Sequence, residues 1–365
     1  MTFIEERESF KGASFETAPV GDIVELKHEW ARDMYGRRFE RRNVLIGDES
    51  DRDPVKKEAY FQKAALFEKL LIDHPEWVAP FIDTDNTLVV DPDNLAAMDL
   101  YFKDGQQTQM YEWGHQMMQA IALEPLQNLG KGGQFLKSGH LDLRTLERFT
   151  FMPDGIGLRS RQHIYSNLLV QQALQTPGDT LNIVSLGSGA SVPNIEASEK
   201  IEKETGKRIN WKLFDLDPNA LLHAEAMTSR AELSSHFDFG PQNTDPNLSR
   251  FTGRSYIEAR HEDNESLDAV DALGLWEYLP PNDAKMFLKM MYRKLKPGAP
   301  MIVSNMLKSR PQPKYNMRAV GWPQLLMRNE QDLLDIVEAA TIDTEQVTFT
   351  HSTDGVYVVM EIRKP

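Results

Sequence analysis

The stretch from Leu181 to Ser191 constrains this chain more than any other. Leu181-Asn182-Ile183-Val184 is a short apolar run that leads into Gly187-Ser188-Gly189-Ala190-Ser191, and a helix-compatible segment follows from about Pro193 to Thr205. A strand feeding a loop with two closely spaced glycines lets the backbone approach a ligand with no side chain in the way. Downstream, Trp211-Lys212-Leu213-Phe214 reads as a second strand closing on Asp215, a carboxylate placed to accept hydrogen bonds from ribose hydroxyls. Strand, glycine turn, helix, strand and acid together form the plan of a nucleoside-cofactor site.

The rest of the second half continues that rhythm. Strands are predicted at 181–186, 211–215, 255–259, 269–273 and 300–305, with helices between them, and alternating strands and helices argue for a parallel sheet. Asp217-Pro218 reads as a helix cap with its first helical residue. Residues 236–253 hold Pro241, Asn243, Asp245, Pro246, Asn247 and Gly253, and read as a surface loop. After strand five comes a proline-broken insert, 308–323, then a helix capped by Asn329. Two short apolar runs around Asp354-Gly355 read as a terminal β-hairpin.

The first 150 residues read as mainly helical. Asp53-Pro54 opens a helix whose Tyr60, Ala64, Phe67 and Leu71 recur at helical spacing until Pro75. A second helix is predicted near Asp93, and a third carries Met110, Trp113, Met117 and Ile121 before Pro125. Gly130-Lys131-Gly132-Gly133 marks a loop, and Gly157 to Leu174 a helix before the sheet begins. With 365 residues, the chain accommodates a helical unit over 1–150 and an α/β unit over 151–365.

Composition narrows the chemistry. A net charge of −14 makes nucleic acid a poor partner. Arg32, Arg37, Arg38, Arg41 and Arg42 form a local basic cluster, best explained as a solvated helix face balancing nearby acids. There are no cysteines, which excludes a disulfide framework, a thiol nucleophile and any thiolate-held cluster built by this chain. No metal ligands are assigned. The charged start of the sequence does not read as a signal peptide, and no apolar run reaches membrane-spanning length, so a cytoplasmic location and no membrane partner are expected.

A dinucleotide site wants a third glycine three positions after the second, and an acid about 20 residues beyond. Here the third position is Val192, and Asp215 follows Gly187 by 28 positions (187 to 215). A phosphate-free cofactor asks for less. The chain resembles the class I S-adenosylmethionine-dependent methyltransferases in Ser185-Leu186-Gly187-Ser188-Gly189-Ala190-Ser191, in Leu213-Phe214-Asp215-Leu216-Asp217-Pro218, in Ala272-Leu273-Gly274-Leu275-Trp276-Glu277-Tyr278-Leu279-Pro280, and in Lys294-Leu295-Lys296-Pro297-Gly298-Ala299. The resemblance covers about 155 to 365. It implies a seven-stranded Rossmann-like α/β sheet with an antiparallel C-terminal hairpin, preceded by the mainly helical N-terminal region, and S-adenosyl-L-methionine as cofactor. It departs from the family pattern at Ser185, where an acid is usual, and at Ser191, where a glycine is common.

By that resemblance, Gly187, Ser188 and Gly189 lie against the methionine and ribose portions, Asp215 holds the ribose and Leu216 flanks the adenine. Asp263 and Asn264, after the third predicted strand, fall where the family contacts the adenine amino group; a hydrophilic loop explains them equally well. Gly274, Leu275 and Trp276 face cofactor and methyl acceptor. Arg159 is a candidate partner for the methionine carboxylate, and His163 and Tyr165 are candidates to serve the acceptor. Surface charge competes for Arg161, and core packing for the helix of Trp113 and His115.

Methyl transfer from a sulfonium is an in-line displacement in which positioning and exclusion of water do most of the work. The acceptor region, Gly-Leu-Trp-Glu-Tyr, lacks the pattern common to nucleic-acid amino-methyltransferases. The expectation is therefore methylation of a small molecule, with oxygen ahead of nitrogen or carbon. A homo-oligomer, a nucleotide-cofactor oxidoreductase and a non-catalytic binding module stay open.

Overall fold

The computed structural model describes residues 19–117, 119–129, 136, 139–240, 258–322 and 325–365. Among the described residues, nine strands build the main sheet: β1 (Ile23–Arg32), β2 (Arg38–Ile46), β3 (Thr180–Leu186), β4 (Arg208–Phe214), β5 (Phe237–Asp238), β6 (Ala269–Ala272), β7 (Pro300–Met306), β8 (Val347–Ser352) and β9 (Tyr357–Arg363). Their order is β1-β2-β8-β9-β7-β6-β3-β4-β5. The five strands from β5 to β7 are parallel, and β9 enters antiparallel between β7 and β8. The order therefore reverses at β3, with β4 on one side and β6 on the other. In a doubly wound sheet, the crevice outside the carboxyl ends of the strands at that reversal is where ligands bind.

Ten helices accompany the sheet among the described residues: α1 (Pro54–Asp73), α2 (Leu95–Tyr101), α3 (Gln109–Gly114), α4 (Glu124–Gln127), α5 (Leu143–Phe151), α6 (Pro153–Gln175), α7 (Val192–Thr205), α8 (Pro218–Arg230), α9 (Pro281–Tyr292) and α10 (Glu330–Ala339). Their starts follow from local chemistry. Asp53 caps α1 by accepting from the Lys56 N–H, with Pro54 in the first turn. Asp217 does the same for α8 through Asn219, and Asn329 forms a reciprocal capping box with Asp332 at α10. The central strands are apolar and buried on both faces, as parallel strands covered by helices must be. One face packs Val184, Leu186 and Val303 against α9 and α10; the other packs Ile183, Trp211 and Leu213 against α6, α7 and α8.

The sheet corrects two expectations. Its strand count is nine rather than seven, because residues 23–46, taken as part of a helical region, form β1 and β2 on the sheet edge beside β8. The arginines hide the alternation: Phe39, Val44 and Ile46 point into the core, while the outward arginines find acids in later elements. Arg37 pairs with Asp33, Asp335 and Glu338, Arg38 with Glu345, and Arg41 with Glu330. Three members of the basic cluster, Arg37, Arg38 and Arg41, are thus neutralised within the fold, on a hairpin rather than a helix.

The third strand also moves. It is the two-residue β5, inside the segment read as a surface loop, where Phe237 stacks on Trp211 with ring centroids 5.9 Å apart. Residues 258–261 are a single helical turn, and the remainder of the predicted strand at 255–257 lies outside the described residues, as do 241–253 and the Gly130 to Gly133 loop.

The elements before β3 share an apolar cluster with those after β6. Tyr101, Trp113 and Phe149 pack with Met306, Val320 and Tyr357. Trp113 is fully buried and donates its indole N–H to the Ala122 carbonyl, so core packing explains its helix. Among the described residues, no helix is long and apolar enough to cross a membrane.

Candidate cofactor site

The site is assembled at the reversal of strand order. β3 ends at Leu186, and the chain turns through Gly187 at φ +64° and Gly189 at φ +55°. Gly187 is required twice over. Its backbone occupies the left-handed region, and a Cβ there would come within 2.9 Å of Leu275 Cβ in the loop after β6. The two loops therefore abut, and Gly187 and Gly189 bring no side chain to the turn. Ser191 also adopts a left-handed conformation, at φ +58°, immediately before α7. The Gly187 N–H donates to the Phe214 carbonyl over 2.8 Å, which fastens the turn to the end of β4.

Asp215 continues that connection. One carboxylate oxygen accepts from the Gly189 N–H at 2.9 Å, and the other from the Asp217 N–H at 2.9 Å. Burial pushes this carboxyl above its ordinary value, against the pull of those two backbone donors. Each oxygen keeps a lone pair for a ligand hydroxyl. Because Asp217 already caps α8 through Asn219, Asp215 is not consumed as a cap. Leu216 beside it is largely exposed, as an apolar flank to the crevice.

Beneath the turn lies a buried group that the sequence reading passed over. Asp271, in the middle of β6, stands in register with Ser185 of β3. Its two oxygens accept from Ser185 Oγ at 2.8 Å and from the Tyr165 hydroxyl at 2.7 Å, while Asn194 Nδ2 donates to the same hydroxyl at 3.2 Å. All four side chains are buried. The carboxylate missing at position 185 is present one strand away. The available signal was an acid in a strand otherwise apolar on both faces, but its pairing with Ser185 needs the strand order.

Other sequence candidates fall in different places. Arg159 is buried and makes two bonds to Asp48, with its remaining donors on the carbonyls of Leu126, Phe149 and Thr150; it has no donor left for a cofactor carboxylate. Tyr165 is fully buried and committed to Asp271, so it does not reach an acceptor. Asp263 and Asn264 precede β6, and the nearby Asp268 N–H bonds to Asn182 near the start of β3. They therefore sit at the amino edge of the sheet, opposite Gly187. The error follows from misplacing strand three, because a loop's position before or after a parallel strand decides which edge it occupies.

Gly274 and Leu275 do join the crevice, but the Trp276 ring turns into the core and meets Phe287 edge-on at 5.8 Å. Arg161 is buried too: it donates to the Leu273 carbonyl at 2.9 Å and lies over the Tyr357 ring. His163 holds Glu196 at 2.8 Å and lines a cavity of about 570 Å³ with Gln162, Val192, Ile195 and Met227. Gly187, Gly189, Asp215 and Leu275 do not line that cavity; it lies along α7, whose first residue is Val192.

No family model and no curated protein matches the chain. Solved structures do. A possible exported protein from Bordetella parapertussis is 14% identical over 86% of this chain and 96% of that one, with a TM-score of 0.53. An O-methyltransferase family protein from Burkholderia thailandensis is 14% identical over 83% and 84% of the two chains, with a TM-score of 0.43. The magnesium protoporphyrin IX methyltransferase of Synechocystis PCC 6803 with bound SAH is 12% identical over 58% and 87%, with a TM-score of 0.41. At these identities the likeness is one of fold, and the first of the three carries it. Together with the strand order, it defines the class of fold: a doubly wound α/β sheet of five parallel strands, extended at one edge by an antiparallel strand, as in that protein.

Proposed function

We propose that this chain transfers a methyl group from S-adenosyl-L-methionine to a small-molecule acceptor, oxygen ahead of nitrogen or carbon. The observation that carries the reading is the joint between the glycine turn and the acid: Gly187, where a Cβ would meet Leu275 Cβ at 2.9 Å, and Asp215 held by the Gly189 N–H. A cradle of this kind suits a nucleoside with no phosphates. Gly187, Ser188, Gly189 and Gly274 would lie along the cofactor, Asp215 would take the ribose, and Leu216 and Leu275 would flank it with apolar surface. When bound, the cofactor supplies a methyl carbon already activated by its sulfonium.

The chain's own contribution is then alignment and exclusion of water. His163, anchored by Glu196 and lining the cavity along α7, is the residue proposed to take a proton from a hydroxyl acceptor. The helices before β3, which share a core with β7 and the segment around Val320, are proposed to close over the acceptor. Incubation with methyl-labelled S-adenosylmethionine and a metabolite panel tests the reading. Label in a small molecule is expected; label only in protein or nucleic acid contradicts it. Thermal stabilisation by NAD(P) in place of S-adenosylmethionine would point to the oxidoreductase alternative.

A further inference from the structure

Asp271 is a buried carboxylate without a countercharge. The groups that face it are neutral: Tyr165 from α6, Asn194 from α7 and Ser185 from β3, while its register partner on β7 is Ile302. Among the described residues, no Lys, Arg or His pairs with it. Arg161, one turn from Tyr165, is engaged with Leu273 and Ser304, His163 with Glu196, and Asp268 on the same strand with Lys296 at the opposite edge. Burying an ionised carboxylate is costly unless a cation or several donors compensate it. Here burial holds the group up to about 7, against the hydrogen bonds of Tyr165, Ser185 and Asn194.

The network brackets the glycine turn. Ser185 precedes Gly187 by two residues, and Asn194 sits in the first turn of α7, just after Ser191. We propose that Asp271 is the positioning carboxylate for the ammonium group at the amino-acid end of the bound cofactor, acting from beneath the turn through Ser185. This rests on the S-adenosylmethionine reading and adds the residue that answers the ligand's charge.

A cation brought to the turn favours the ionised form of Asp271, so binding expels its proton. Affinity for S-adenosylmethionine then rises with pH between 6 and 7.5, below the range of about 7.7–8.0 where an α-amino group itself titrates. If the bound cation lowers Asp271 by one unit, the rise is about fourfold. 5′-Methylthioadenosine, which lacks the amino-acid end and the charge, binds without that slope.

Calorimetry of both compounds on the full chain, in two buffers of different ionisation enthalpy, reads this directly. Proton release is expected with S-adenosylmethionine and not with 5′-methylthioadenosine. Asp271→Asn should remove the release, whereas Glu277→Gln, at the other buried carboxyl near 7, should keep it. Wild-type binding of S-adenosylmethionine without proton release overturns the proposal, as does release that persists in Asp271→Asn. If the variant does not fold, the wild-type comparison between the two compounds still decides. If the wild type binds neither compound, the cofactor reading itself falls and takes the proposal with it.

Discussion

The Asp215 carboxylate lies 2.9 Å from the Gly189 N–H, so the acid ending β4 and the turn ending β3 form one rigid piece. Neither half is useful alone. The turn's two glycines withhold side chains at positions 187 and 189, and the acid supplies an acceptor beside them. The Gly187 and Phe214 hydrogen bond fixes their spacing.

Gly187→Ala should cost stability as well as binding. The new methyl meets Leu275 Cβ, and an L-residue is strained at φ +64°. A loss of about 1–3 kcal/mol is expected in urea unfolding. Gly178 at φ +84° has open space around it, so Gly178→Ala should carry only the conformational cost, about 1–2 kcal/mol, and keep cofactor binding. Equal effects on binding from the two variants would contradict the close approach.

Asp48→Ala should destabilise more strongly, by about 3–5 kcal/mol, because it leaves the buried Arg159 guanidinium without its counter-ion. Burial raises the Asp48 carboxyl, but the Arg159 bonds and charge outweigh it and hold the group below the usual carboxylate range. The pair's contribution is therefore present above the unfolded value and lost as pH falls through the lower folded one. Denaturant midpoints of wild type and variant should converge in acid.

Glu330 ties the edge hairpin to α10 and β8 through Arg41 and His351. Burial opposes ionisation, yet those two partners draw its carboxyl down to about 2. Its stabilisation should be complete above about 4.5 and disappear as pH falls through about 2. Glu330→Gln should speed amide exchange in β1 and β2 at neutral pH while leaving β3 and β4 protected. Unchanged exchange in the hairpin would show that the link is not what holds it.

Once an acceptor is identified, His163→Gln should lower kcat by about 10²–10⁴-fold with cofactor affinity intact. An unaltered kcat would remove His163 from the proton path.

Much of the site could be read from the chain because its signals are local. A strand, two glycines and an acid lie within one stretch, and the caps at Asp217 and Asn329 announce their helices. The hairpin of β1 and β2 was obscured because its arginines answer acids some 300 positions away, beyond the reach of a local pattern. A two-residue β5 has no periodicity to detect, and missing it sent Asp263 and Asn264 to the wrong edge of the sheet. Arg159, Tyr165 and the Trp276 ring looked functional by type. Only tertiary packing shows that the first two serve buried acids, Asp48 and Asp271, and that the third fills the core.

The most direct test is calorimetric titration of S-adenosylhomocysteine into the wild type and Asp215→Asn. The account predicts saturable binding to the wild type, weakened about tenfold or more in the variant, as expected for loss of a hydrogen bond to a charged group. Equal affinities, or no binding by the wild type, would contradict it.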